Sequence, residues 1–422
     1  MIRPVGSCGV PPRRPARRYM DEPARTPSEL GAPRMRLGAA ASASTSTPSA
    51  DSYRRLADVF HDLLSEQSLD SLLVRIADTL DEIVPYEALH IYEADEPKRH
   101  LVPALVRAAR PDARIAHFTH IPWVGPDAWA VLPRDITDAI HEGLLACDSA
   151  GFHTEHWRSA FVDCCGTLLD RGGDAERVSH ANPIAVDAEE FDALVAGDGV
   201  RERQEALADE RPEILVLRVD RADPSKNAVR GFEAFGRLLE RMPALEGRIG
   251  LLALLDPSRE EIPEYVDYRA AIERAADEVN ERFARPGWTP VSLVVRDDFL
   301  ASIAAYLEYD VLLVNPVMDG LNLVAKEAPL VNERDGVLVL SREAGAFEEL
   351  AEWVVPVDPL DVEDQAAALE RAIGVPAAER RSWLDGIRRQ VRLHDMDAWT
   401  DRELCELDAR APRQGAGATM RP

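Results

Sequence analysis

Between residues 51 and 84 the apolar side chains recur every three or four positions. Leu56, Val59, Phe60, Leu63 and Leu64 line one face of a first run. Leu69, Leu72, Leu73, Ile76, Leu80 and Ile83 line a second. That period predicts two amphipathic helices. From residue 100 onward the pattern changes to short apolar runs separated by longer helical ones. Strands are expected at 114–121, 149–154, 214–219, 248–255, 291–295, 311–315, 336–340 and 353–357. Helices are expected at 135–148, through the acidic stretch 187–210, and in NAVRGFEAFGRLLERM, where Val229, Phe232, Phe235, Leu239 and Met242 share a face. A closing helix is expected over 385–400. Strands alternating with helices imply an α/β fold with a parallel, doubly wound sheet.

Residues 1–50 break this texture with Pro, Arg, Ala, Ser and Thr and read as a disordered leader. The N-terminus is basic but has no apolar core segment, so a secretory signal is not expected. No run of about 18 apolar residues is present, so no membrane span is expected. The 422 residues exceed one ordinary core, and at least two domains are expected. A formal net charge of −26 argues against general nucleic-acid binding. It leaves room for a small anionic substrate held by local Arg and Lys. The five cysteines show no metal or disulfide spacing, which fits reduced thiols in a cytoplasmic protein.

Candidate chemistry sits at strand ends. In VDRADPSKN (219–227), Arg221 and Lys226 follow a buried strand and precede a helix. Two cations beside free helix N–H groups suit a phosphate. The alternative is a turn in which Asp220 and Asp223 pair with them. In DPSREEIPEY (256–265), Arg259 reads either as an anion clamp or as a surface partner of Glu260. In NPVMDGLNLVAKEA (315–328), Asp319, Gly320 and Asn322 follow an apolar strand and precede a helix. A ligand site and a plain connection capped by Asn322 both fit that pattern. His117, His120, His153 and His156 do not have metal spacing, since residues three apart on a strand face opposite ways. His120, at a strand end, reads instead as a hydrogen-bonding residue for a substrate. Cys164 and Cys165 read as buried helix filler.

Two resemblances follow. Residues 52–96, with the strand-like YEALHIYE, resemble the opening of a GAF sensor domain. VDRADPSKN, PSREEIPEY, WTPV, DGLNLVAKE and GVLVLSREAGAFEEL resemble, in order, the motif series of the trehalose-6-phosphate synthase family, retaining glycosyltransferases of the GT-B fold (family 20). RIAHFTHIPWVGPDAWAVLP and GFHTEHWRSAF match that family's middle segment. The resemblance covers about residues 100–395.

The resemblance implies transfer of glucose from UDP- or GDP-glucose to glucose-6-phosphate with retention and without a metal or other cofactor. Arg221 and Lys226 would hold the donor diphosphate. His120 would contact the donor sugar near its anomeric carbon. Asp319 would bind sugar hydroxyls, and the backbone of Gly320, Leu321, Asn322 and Leu323 would cradle sugar and phosphate. Glu327 would grip the ribose, Leu323 and Val324 would line the nucleoside site, and Phe299 would meet the base through its backbone. Arg259 would bind the acceptor phosphate.

The chain departs from the family pattern in three places. Asn227 stands where Gly is common after the motif lysine, and Met318 where Arg is common before Asp-Gly. Of a D-Y-H-L motif only His100-Leu101 remains, preceded by Lys98 and Arg99. The expected organisation is therefore a leader (1–50), a GAF-like fragment (51–97), an incomplete N-terminal Rossmann-like domain (98–208), a complete C-terminal nucleotide-sugar domain (209–400) and a flexible tail (401–422). Three functional readings stay open: a working synthase, a nucleotide-sugar binder without turnover, and a transferase using another phosphorylated acceptor such as glycerol-3-phosphate or a cyclitol phosphate. The partners implied are small-molecule substrates, neither nucleic acid nor membrane, with self-association as the outcome of an incomplete sheet.

Overall fold

The computed structural model describes Pro103, Val106, Arg107 and residues 113–409. The leader, the GAF-like fragment and the end of the tail lie outside the described residues. Two parallel sheets organise the rest. The smaller has the order β1-β2-β3, from Ala116–Thr119, Ser149–Phe152 and Ser179–Ala181. The larger has the order β6-β5-β4-β7-β8-β9, built from Ile214–Arg221 (β4), Ile249–Asp256 (β5), Val291–Val295 (β6), Val311–Val314 (β7), Val337–Ser341 (β8) and Val355–Val357 (β9).

Strand order reverses between β4 and β7, where Val216 pairs with Val311 and Leu217 with Leu312. The crossovers leave those two strands in opposite directions along the sheet, so their loops splay apart and open a crevice at the carboxyl edge. Both faces of the sheet are covered, which is why its strands read as continuous apolar runs. Val216, Leu251, Leu313 and Val339 pack against Phe232, Phe235, Ile272 and Leu369 on one face. Their neighbours Leu217, Leu312 and Leu340 pack against Ile303, Tyr306 and Ile387 on the other. Phe232 and Phe235 are wholly buried. Each such ring contributes about 2–3 kcal/mol of transfer free energy.

A third core fills the smaller sheet's layer. Trp123, Phe152, Trp157 and Phe161 pack with Cys164 and Cys165, and Met318 reaches in from the loop after β7. Burial pushes the Cys164 and Cys165 thiols up to about 11 and about 12, which keeps them unreactive.

The expected strands are present with ends shifted by a residue or two. Three features differ. β3, with sequence Ser-His-Ala, is too short and polar to give a period. The helix expected over 187–210 breaks at Gly197 into Ala188–Ala196 and Asp198–Glu210. The closing helix is two, Ala377–Leu393 and Met396–Ala409, so the chain from 401 is helical as far as Ala409 rather than a tail. That last helix is fixed to the smaller sheet. Trp399 lies edge-on to Phe118 and donates to the Asn182 carbonyl at 3.1 Å. Glu403 is bonded to His180 at 2.8 Å and accepts from Asn182 at 2.7 Å.

Candidate functional site

The crevice is lined by loops that follow β1, β4, β5 and β7. After β4, Asp223 accepts from the Ser225 amide at 2.9 Å and hydroxyl at 2.7 Å, closing a tight turn. Lys226 ends that turn. Asn227 follows in the left-handed region, φ 63°, and opens the helix Ala228–Arg241. The left-handed conformation that glycine would supply freely is here held by the Asn227 side chain. Its amide donates to the carbonyls of Asn315 at 3.0 Å and Pro359 at 2.7 Å.

After β7, the chain runs Asn315-Pro316-Val317-Met318-Asp319-Gly320. Gly320 is required by a close approach of backbones: a Cβ there would lie 2.0 Å from the carbonyl oxygen of His120. Its own carbonyl accepts from the Trp157 indole at 2.9 Å. Asn322 has φ 76°, and its side chain accepts from the Ala325 amide at 3.2 Å while donating to Asp319 at 3.1 Å. Asn322 thus caps the helix, as expected, and its side chain also holds Asp319.

These loops bring Lys226 to Asp319, with Nζ and Oδ2 2.5 Å apart. Asp220 pairs instead with Arg218, at 2.9 Å. The local turn pairing of Asp220 and Asp223 with Arg221 and Lys226 is therefore corrected for Asp220, Asp223 and Lys226. Arg221 is exposed at the end of β4 and enters no ion pair within the described residues. It faces Asp223 and Asp256 only at longer electrostatic range.

Arg259, with φ 46°, donates to the Tyr265 hydroxyl at 2.6 Å, and that hydroxyl donates to Asp223 at 3.1 Å. The loop after β5 is so tied to the loop after β4. The expected partner Glu260 pairs with Arg269 instead, at 2.5 Å.

His120, at the end of β1, has Nδ1 3.3 Å from Nε2 of His153. His153 Nδ1 accepts from the Ile184 amide at 3.3 Å. A neutral His153 therefore carries its proton on Nε2 and donates to His120, which places the His120 proton on the opposite nitrogen. Burial, then His120, then Lys326 lower the His153 pKa to about 3, so it stays neutral.

Lys326 itself is buried, 2.6 Å from Glu349 and 3.1 Å from the Ile184 carbonyl. Glu327, next to it, is pushed up to about 7 by burial, opposed by a 3.4 Å bond from the Tyr306 hydroxyl. Leu323 is 39% exposed and Phe299 51% exposed, the latter with its ring edge-on to Phe191. Leu321, expected in the cradle, has its side chain in the core. Only its backbone remains for a ligand.

The structure thus brings together Lys226, Asp319, Gly320, Asn322 and His120, and links Arg259 to them through Tyr265 and Asp223. Sequence reasoning overlooked Arg218, Trp157 and the pairing of His153. Only Arg218 carried a signal, a cation in the middle of an apolar strand.

The sequence model of Glycosyltransferase family 20 matches residues 98–409. The chain is 33% identical over 353 residues to a trehalose-6-phosphate synthase of Cronobacter sakazakii, covering 80% of this chain and 73% of that one. It is 34% identical over 318 residues to a validamine 7-phosphate valienyltransferase of Streptomyces hygroscopicus subsp. jinggangensis, covering 73% of this chain and 62% of that one. Among solved structures it is similar to an alpha,alpha-trehalose-phosphate synthase (UDP-forming) from Burkholderia xenovorans in complex with glucose-6-phosphate. That structure is 31% identical with a TM-score of 0.66, covering 72% of this chain and 71% of that one.

Proposed function

Because the chain belongs to glycosyltransferase family 20, whose fold its parallel α/β sheets share, we propose that it transfers glucose from UDP- or GDP-glucose to glucose-6-phosphate with retention. The observation that carries this reading is the Lys226–Asp319 pair at 2.5 Å, set in the crevice where the strand order reverses. A cation for a diphosphate and a carboxylate for sugar hydroxyls stand side by side and neutralise each other.

In this reading the donor separates the pair. Lys226 moves to the diphosphate, joined by Arg221; the free helix amides expected beside them are not available, since the Ala228 amide already donates to the Tyr268 hydroxyl at 2.9 Å. Asp319 accepts from sugar hydroxyls, and the backbone from Gly320 to Leu323 holds the sugar. His120, with its proton directed away from His153, donates to the sugar. Glu327 accepts from the ribose hydroxyls, beside Leu323 and Val324, and Phe299 presents its backbone to the base. The bond between the anomeric carbon and the diphosphate oxygen breaks. The acceptor oxygen bonds to that carbon on the same face, and its proton passes to the leaving phosphate. Arg221 and Lys226 stabilise the charge that develops there. Arg259, exposed and stacked over Tyr265 at 5.2 Å, takes the acceptor phosphate.

The relative named for validamine 7-phosphate favours a second reading, in which the acceptor is another phosphorylated polyol. Both readings are tested by nucleoside diphosphate release from UDP-glucose and GDP-glucose with a panel of phosphorylated acceptors, beside Arg221→Ala. Release that needs glucose-6-phosphate and vanishes in the variant is the expected result. Release with a different acceptor selects the second reading. Donor binding without release from any acceptor would show a nucleotide-sugar binder instead.

A further inference from the structure

Arg218 lies in the middle of β4 and is wholly buried, among the largest side chains in the protein with no accessible surface. Burying a guanidinium costs several kcal/mol unless its donors are matched, and an apolar residue there would pack without that cost. Its neighbours on the same face of the strand, Val216 and Asp220, point to the helix Ala228–Arg241. That helix makes room with Gly231, where a Cβ would come 2.9 Å from the guanidinium.

The guanidinium has three partners. It donates to the carbonyl oxygen of Lys226, to the side-chain oxygen of Asn315, and to Asp220 at 2.9 Å. Asp220 lies two residues along the same strand, and the other two belong to the crevice loops. Lys226 is the cation paired with Asp319. Asn315 is the residue where β7 ends and the Asp319 loop begins. The Asn315 amide donates to the Asn227 carbonyl at 3.3 Å and to Gln365 at 2.7 Å, and Gln365 donates to the Pro359 carbonyl at 2.8 Å. Asn227 donates back to Asn315 and to Pro359. One buried network therefore clamps the backbone of the Lys226 turn to the strand that leads to Asp319.

We propose that Arg218 is a positioning residue for the donor diphosphate. It fixes the Lys226 carbonyl, and through it the left-handed turn at Asn227, so that the Lys226 ammonium is held at one place beside Asp319. It touches no ligand itself, since it has no accessible surface. The inference rests on the donor-site reading of the previous subsection, and it assigns the anchoring of that site to a residue outside the loops.

The test is calorimetric titration of UDP, GDP, uridine and guanosine into wild type, Arg218→Met and Gly231→Ala. Thermal melts establish that each variant is folded. Arg218→Met keeps the length and apolar stem but removes the clamp. Gly231→Ala keeps the charge and favours the helix, but its methyl displaces the guanidinium from the far side. Both are expected to weaken the nucleoside diphosphate by about tenfold or more, the scale of a lost charge-assisted bond at a buried site, with nucleoside affinity within about twofold. Diphosphate affinity unchanged in folded variants overturns the inference. An equal loss for nucleoside and diphosphate also overturns it, since that is a general collapse of the crevice. If Arg218→Met does not fold, Gly231→Ala decides. Wild type that binds neither nucleotide overturns the donor-site reading itself, and this inference with it.

Discussion

The Lys226 ammonium lies 2.5 Å from the Asp319 carboxylate, across 93 residues of chain. Neither group has a second opposite charge this near in its own loop, so each depends on the other. Removing one partner leaves a half-buried charge facing the crevice. Lys226→Ala and Asp319→Ala are each expected to cost about 1–3 kcal/mol of stability. The double variant is expected to cost less than the sum, measured as a double-mutant cycle by chemical denaturation. Strict additivity would mean that the pair is not coupled. Turnover should drop by about 10²–10³ in Lys226→Ala, the usual scale for one lost charge-stabilising donor.

Glu327 gives the site a pH dependence. Its pKa is raised by burial from 4.5 to about 7. A carboxyl raised on folding contributes stability that is full below its unfolded value and is lost as pH rises through its folded one. The loss here falls between about pH 4.5 and 7 and amounts to roughly 3 kcal/mol at most. Glu327→Gln should therefore gain in melting temperature relative to wild type on going from pH 5 to pH 8. A constant offset across that range would remove the argument. Donor affinity should move the other way, rising with pH toward 7 and above, because only the ionised carboxylate accepts from two ribose hydroxyls.

His153 is the mirror case. Its pKa is lowered from 6.5 to about 3 by burial, His120 and Lys326. A base lowered on folding contributes stability that is full above 6.5 and is lost as pH falls toward 3, roughly 5 kcal/mol in all. Wild type should destabilise steadily over that window, and His153→Asn should show a shallower slope. Nitrogen chemical shifts should place the proton of His153 on Nε2 at neutral pH. A proton on its Nδ1 would break the proposed chain from the Ile184 amide to His120.

Gly320 tests the meeting of the two sheets' loops. A Cβ there would sit 2.0 Å from the His120 carbonyl oxygen, backbone against backbone. Gly320→Ala is expected to cost about 3 kcal/mol or more, since neither side can move without breaking its own bonds. Gly125→Ala, where nothing lies within 4 Å, is the control and should leave the melting temperature nearly unchanged.

Much of this was legible along the chain. The alternation of apolar runs located the strands of the larger sheet, because strands covered on both faces must be apolar throughout. The polar clusters after β4, β5 and β7 marked the crevice, because ligands of such sheets sit beyond the carboxyl ends of strands. β3 and the break at Gly197 escaped for local reasons: three residues, two of them polar, give no period, and one glycine in a helical run is often tolerated.

What the sequence determined by itself was the strands and principal helices of the larger sheet, their two apolar faces and the loops that carry charge, since each follows from periodicity and composition over a few neighbouring residues. What only the tertiary structure decided was who meets whom. Lys226 chose Asp319 over Asp223, Arg259 chose Tyr265 over Glu260, and His120 met His153, because strand order and register set those distances. The same holds for Arg218. Its position in the sequence shows a cation in an apolar strand, but its role depends on Lys226, Asn315 and Gly231 arriving from three other segments to make burial of that charge affordable.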